Sequence, residues 1–355
     1  MEFGLSSEQT LLQDSINRFL TDQVPLDEIR KVAAGETDDA KTWERLTDLG
    51  IPGLMVSEAN GGLGLSSLDA AVVAESLGYH VTPSPFISSA VIAPVVLQLA
   101  GTREDLLGGV ATGETRIGIA FAEAMGARRD AGISVDNGKL QGKSLFALDS
   151  DANYYLVTTV DKHIYLVSAD AAGLEVKNLT TVDKTRTTCE LIYSEVEAEL
   201  ISDDSAVFDK ALDAGLVAIA ADTLGAAQCA LDQAVTYAGQ RVQFNRVIAS
   251  FQAVKHMCAE MAANLEPCRS MVWYAAHAFN EIPEEASMMA SHTKAHLSEV
   301  GQFVTRTATE VHGGMGFTDL VGLHYWFKRA GFNRQILGSP EMLRERAASI
   351  QNLAA

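Results

Sequence analysis

The chain has 355 residues, 47% of them hydrophobic and 21% charged, with a formal net charge of −19. That length can build a large core with two or three packed subregions. The acidic balance argues against nucleic acid, whose phosphates need clustered Lys and Arg, and against an anionic membrane surface, while leaving room for an anionic small ligand in a local pocket.

The opening segment Met1-Glu2-Phe3-Gly4-Leu5-Ser6-Ser7-Glu8 lacks the basic start and apolar stretch of a signal peptide. Leu11, Leu12, Ile16, Phe19 and Leu20 then make an apolar stripe at helical spacing, with Ser6 or Ser7 available as N-cap. Glu58 to Gly64 forms a Gly-rich loop ending one helical hairpin, and Ser66-Ser67-Leu68-Asp69 opens the next helix. The longest apolar stretches, such as Ala90 to Ala100, are too short for a bilayer and carry Pro94 and Gln98. Residues 1–115 are therefore expected to be a helical domain.

Strand signals fill 116–205, the expected middle domain. Arg116 to Phe121, Lys139 to Leu148, Tyr154 to Val160 and His163 to Ser168 are short, rich in β-branched or aromatic residues, and bounded by turns. Asp136-Asn137-Gly138 marks a hairpin, because Asn-Gly tolerates the positive φ of a type I′ turn. Residues 206–355 return to helix. Met257, Met261, Leu265, Cys268, Val272, Ala276 and Phe279 share one face, and Pro267 is expected to kink or break that helix near 263–267. Cys189, Cys229, Cys258 and Cys268 show no CxxC spacing, so a reducing cytoplasm is the simplest location. His292 and His296 share a helix face but no third ligand or His-Glu-x-x-His context accompanies them, and no GxGxxG follows a strand. Neither a metal site nor a Rossmann site is indicated.

Several runs, in this order and spacing, resemble acyl-CoA dehydrogenases. They are Gly53-Leu54-Met55-Val56-Ser57-Glu58 leading into Gly61-Gly62-Leu63-Gly64; Arg241-Val242-Gln243-Phe244-Asn245 followed by Phe251-Gln252; and Val311-His312-Gly313-Gly314-Met315-Gly316-Phe317-Thr318. The resemblance spans essentially the whole chain. It implies an α+β, mostly α fold: an N-terminal helical domain, a small middle β-barrel or sandwich, and a C-terminal four-helix bundle. It also implies FAD, an acyl-CoA substrate of fatty-acid or steroid origin, an oligomer, and an electron acceptor such as an electron-transfer flavoprotein. Arg241, Phe244, Gln252, Gly313 and Gly314 would contact the ADP half of an FAD bound mainly by a neighbouring subunit. The residue types suit that task. A guanidinium grips pyrophosphate through paired donors, an aromatic face meets adenosine, and glycines (Gly316 among them) admit a close backbone approach. The lesser alternative for the glycines is a helix C-cap and turn. Glu310 stands beside them where the family usually has Gln, and a carboxylate there repels pyrophosphate unless a cation such as Arg241 neutralises it.

The pattern departs from the family at the flavin end. Ala122 in Ala120-Phe121-Ala122-Glu123-Ala124-Met125-Gly126 takes the place of a hydroxyl residue, and Phe146-Ala147-Leu148 that of a Trp-x-Thr run. In Lys328 to Glu341, Leu337 stands where the family's catalytic glutamate is expected, and Gly215 stands at the alternative position on an earlier helix. Desaturation removes a proton from Cα while a hydride leaves Cβ, so a carboxylate is needed near Cα, and losing a general base costs about 10²- to 10⁴-fold. No catalytic residue is therefore assigned. Asp213 and Glu341 lie near enough in sequence to be considered as displaced bases. Three readings remain: a base-lacking subunit paired with a homologous base-bearing chain as a heterotetramer, a homo-oligomeric dehydrogenase with a displaced base, or a non-catalytic assembly protein of the same fold.

Overall fold

Two serine capping boxes set the first helices. Ser6 accepts the Gln9 N–H and begins α1 (Ser7–Gln23), while Ser66 accepts from Asp69 and begins α4 (Ser67–Tyr79). Between them lie α2 (Leu26–Ala34) and α3 (Ala40–Thr47). A π-helical turn, Phe86–Ile92, runs into α5 (Ala93–Ala100), and α6 (Glu104–Ala111) follows. The computed structural model describes residues 4–122, 125 and 132–353. Of the α1 stripe, Ile16 and Leu20 are buried, whereas Leu11 points to solvent.

The middle of the chain forms one eight-stranded sheet from β1 (Ile117–Ala120), β2 (Gly132–Asp136), β3 (Lys139–Leu148), β4 (Tyr154–Thr158), β5 (Ile164–Ser168), β6 (Leu174–Asn178), β7 (Thr188–Glu197) and β8 (Glu199–Ser202). The order is β6-β7-β3-β1-β4-β5-β8, with β2 on β3; β1 and β4 run parallel and the other pairs antiparallel. Asn137 and Gly138 join β2 to β3 with φ of +50° and +78°, as an Asn-Gly hairpin requires. Leu140, Tyr155, Val157, Leu191 and Tyr193 gather inside this sheet as a second core, apart from the large helical one.

Three long helices carry the rest: α7 (Ser205–Gln240), α8 (Gln252–Glu281) and α9 (Pro283–His312), with α10 (His324–Gln335) and α11 (Pro340–Ile350) packed on them. A small hairpin, β9 (Val242–Gln243) and β10 (Arg246–Val247), joins α7 to α8. The sequence stripe on α8 faces the core: Met261, Leu265, Cys268, Val272, Ala276 and Phe279 are buried, and Met257 is partly buried against them. Pro267 does not break it. The helix continues through Pro267, so the missing N–H is absorbed within one long helix packed against α9 and α7.

α7 corrects a second expectation. By length and composition it is apolar enough to cross a membrane, yet 94% of its most apolar window is buried inside the molecule. It is hydrophobic all round because it is the central helix, covered on several sides. α4 crosses it in backbone contact: a Cβ on Gly78 would lie 2.0 Å from the Asp222 carbonyl oxygen, and one on Gly225 1.9 Å from that of Glu75. One hydrophobic cluster runs from α1 through α11, so the two helical segments share a core.

Buried charges tie the sheet to the helices. Arg116 at the edge of β1 donates to Asp39 ahead of α3 (2.8 Å) and to Asp149 after β3 (2.6 Å). Arg329 of α10 donates to Asp183 in the β6–β7 loop (2.7 Å) and to Asp222 of α7 (3.0 Å), and Arg186 pairs with Asp222 at 2.7 Å. These bonds hold the β6–β7 loop against α10, where the principal cleft opens.

Candidate active-site cleft

α10 ends at Gln335, and the chain must turn sharply to start α11 at Pro340. It does so through Leu337 at φ +54° and Gly338 at φ +111°. A leucine in the left-handed region is uncommon and is tolerated only where its surroundings hold it. Here the turn forms part of a cleft with about 970 Å³ of empty space, mouth included. Its other wall comes from the sheet side: Ala122, Met125, Phe146, Thr181 and Val182. Glu123, Ala124 and Gly126 lie outside the described residues.

The walls are mainly apolar, with Phe146, Val182, Phe332, Ile336, Leu337 and Met342 dominating and Thr181, Gln335 and Ser339 supplying polar atoms. No described lining residue bears a carboxylate. Leu337 turns its side chain inward onto α7. A Cβ at position 215 would stand 2.8 Å from Leu337 Cδ1 and 2.7 Å from Ile92 Cδ1. The two positions expected to carry a base are therefore neighbours in space, and the leucine methyl occupies the room a side chain at 215 would need.

Neither displaced acid reaches the cleft wall. Asp213 is buried, accepting from Arg346 Nη1 at 2.7 Å and from the Ser287 hydroxyl at 2.5 Å. Burial raises its carboxyl pKa, and Arg346 and Ser287 oppose the rise. It is a structural anchor between α7, α9 and α11 rather than the solvated helix charge its position suggests. Glu341 is exposed and pairs with Arg334 at 3.1 Å. Its carboxyl is lowered by the backbone N–H at the start of α11, then by Ser339 and Arg334.

Leu148, at the second expected hydroxyl position, does not line the large cleft; it is buried and in register with Ile119 and Thr188. Phe146 does line it, half-exposed with its backbone at φ +55°. Thr181 and Gln335 were missed from sequence because loop and helix-end polar residues carry no periodic signal.

The remaining candidates gather elsewhere. Arg241 caps α7, Phe244 sits at the β9–β10 turn with 86% exposure, and Gln252 begins α8. Gly313 closes α9 at φ +59°, as the helix-cap reading expected, and neither Gly313 nor Gly314 has any atom within 4 Å of an added Cβ. Gly316 is different: it is buried against Thr309 and His312, so packing explains it. Tyr237 and His312 stack with ring centroids 4.5 Å apart, bringing the ends of α7 and α9 together. Arg241 and the glycines thus share one end of the bundle. Glu310 pairs with Arg306 at 3.2 Å, so Arg306 and not Arg241 is its neutralising cation.

This second cluster is far from the first. Gly215 and Arg241 are 26 residues apart on one continuous helix, about 39 Å at 1.5 Å per residue. One protomer cannot bring both to a single dinucleotide.

The sequence from 6 to 114 matches the family description "Acyl-CoA dehydrogenase, N-terminal domain", and 205 to 350 matches "Acyl-CoA dehydrogenase, C-terminal domain". The chain belongs to the acyl-CoA dehydrogenase family. Among relatives, acyl-CoA dehydrogenase IpdE2 of Mycolicibacterium smegmatis is 28% identical over 349 residues, covering 98% of this chain and 100% of that protein. A variant of the Tcur3481–Tcur3483 steroid ACAD superposes with a TM-score of 0.88 at 28% identity, over 97% of this chain and 98% of that one. The ChsE4–ChsE5 complex from Mycobacterium tuberculosis has the same fold, with a TM-score of 0.88 at 23% identity over 100% of both chains. For an acyl-CoA dehydrogenase, a cleft lined by Phe146 and Phe332, with polar atoms from Thr181, Gln335 and Ser339, is suited to a flat ring system, so the residues present fit a flavin.

Proposed function

We propose that this chain is the base-lacking subunit of a heteromeric, FAD-dependent acyl-CoA dehydrogenase that desaturates an acyl-CoA thioester at Cα–Cβ. FAD, when bound, accepts the hydride from Cβ. The observation that carries the proposal is Leu337 packed over Gly215 in a cleft whose described walls hold no carboxylate. A leucine and a glycine offer no group that can take the Cα proton. The proton acceptor then comes from a homologous partner chain.

What this chain contributes is the remote half of a site. Arg241 has no ion-pair partner among the described residues, and Phe244 stands in solvent with Val242 and Val247 beside it. Such a basic and aromatic edge, about 39 Å along α7 from the chain's own cleft, suits the ADP portion of a cofactor seated in a neighbour. Gln252, Gly313 and Gly314 lie at the same end; Glu310 is partly offset by Arg306. Asp213 and Glu341 are both committed to arginines, which weakens the homo-oligomeric reading with a displaced base. An electron acceptor such as an electron-transfer flavoprotein would reoxidise the assembly.

The test is to purify the chain alone and together with a homologous, glutamate-bearing chain, then measure flavin absorbance per protomer and dye-linked turnover. Turnover only in the mixed sample is expected. Full turnover by the lone chain would contradict the proposal.

A further inference from the structure

The most deeply buried amine in the helical core is unexplained by anything above. Lys294, midway along α9, is 1% exposed. It forms no ion pair among the described residues. Instead its Nζ donates to the Arg334 carbonyl oxygen at 3.0 Å and to that of Gly338. Those two carbonyls flank the turn that carries Leu337.

The reason for a lysine here lies in how α10 ends. The last carbonyls of a helix have no partners within it, and a buried helix end must find donors elsewhere. α10 finds no Schellman closure. Ile336 is extended, Leu337 and Gly338 take positive φ, and Ser339 already caps the next helix. A single amine rising from α9 bridges the last turn of α10 and the residue beyond the left-handed leucine. Burial, with Arg334 adding to it and Glu341 opposing, brings the amine down to about 7. A neutral amine has two N–H groups, matching its two carbonyl acceptors. Lys294 does not line the cleft, so it is no replacement base.

We propose that Lys294 is the positioning residue of the cleft: it clamps the Ile336–Gly338 turn from beneath and so dictates where the side chain at 337 points. In this chain the device orients a residue 337 that is not an acid. Its functional meaning rests on the reading of the cleft as the flavin and thioester site. The clamp itself is tested without either ligand, so failure of one reading is distinguishable from failure of the other.

Amide hydrogen exchange on the whole chain provides the test. Lys294→Met keeps the volume and removes both donors, and should speed exchange in peptides spanning 336–343 at least tenfold while α7 and α8 keep their rates. Lys294→Gln retains an amide donor of shorter reach and should restore protection to within about threefold of wild type. If Lys294→Met does not accumulate as folded protein, Lys294→Gln alone decides: an acceleration of about two- to threefold confined to 336–343 is expected, and rates there equal to wild type would overturn the proposal. Wild-type rates in that segment for both variants would overturn the proposal. So would a uniform acceleration across α7, α8 and α9, which marks a general packing role.

Discussion

Leu337 and Gly215 form one steric unit, and that is testable by substitution. Gly215→Ala places a methyl within 2.8 Å of Leu337 Cδ1 and 2.7 Å of Ile92 Cδ1, so it should cost about 1–3 kcal/mol by overpacking. Leu337→Ala should cost about 2–4 kcal/mol by leaving a cavity. The double variant should be less destabilised than the sum by about 1 kcal/mol or more, because each change makes room for the other. Urea denaturation of the four proteins measures the coupling, and strict additivity would show that the two positions do not touch. His80 offers a residue-scale pH test. Burial lowers its imidazole to about 4. Between its ordinary value near 6.5 and 4, the unfolded chain binds a proton that the folded chain does not, so stability falls as pH drops through that window. His80→Gln should flatten the decline between pH 6.5 and 4 in thermal melts; an identical slope in both proteins would refute the assignment.

Elements with local causes were legible in the sequence. The Ser6 and Ser66 caps, the Asn137-Gly138 hairpin and the apolar face of α8 each follow from residues a few positions apart. Tertiary causes were not. Pro267 persists in a continuous helix because packing against two neighbours outweighs a single lost hydrogen bond. The buried role of Asp213 depends on Arg346, distant in sequence. The close crossing of α4 and α7 likewise needs both partners: Gly225→Ala should destabilise by about 1–3 kcal/mol, measured by chemical denaturation, since its methyl would meet the Glu75 carbonyl. The β9–β10 hairpin is the opposite case. Phe244→Ala should leave the stability of the isolated chain within about 0.5 kcal/mol, because the ring is largely in solvent and meets Phe251 only edge-on at 6.0 Å. It should lower flavin retention in the mixed assembly, read as the absorbance ratio at the flavin and protein bands. Unchanged retention would remove Phe244 from the cofactor site.

At the scale of the molecule, two features frame the chain's own cleft and the distant edge proposed to meet a cofactor. α7 spans the distance between them, and the Arg329–Asp183–Asp222 network locks the sheet-side wall onto the bundle. The motif order made the family and the general architecture readable, because those glycines and aromatics recur at fixed spacing. The convergence of Leu337 with Gly215 was not readable, since 122 residues separate them and only the fold brings them together. Everything proposed for function depends on that pair offering no proton acceptor. Exchange of the acyl Cα hydrogen reports this step alone, without waiting for electron transfer. The chain is incubated with FAD and an acyl-CoA in deuterium oxide, alone and with its base-bearing partner, and deuterium at Cα is followed by mass spectrometry. Deuterium should enter only in the mixed sample; incorporation at a comparable rate by the lone chain would contradict the account.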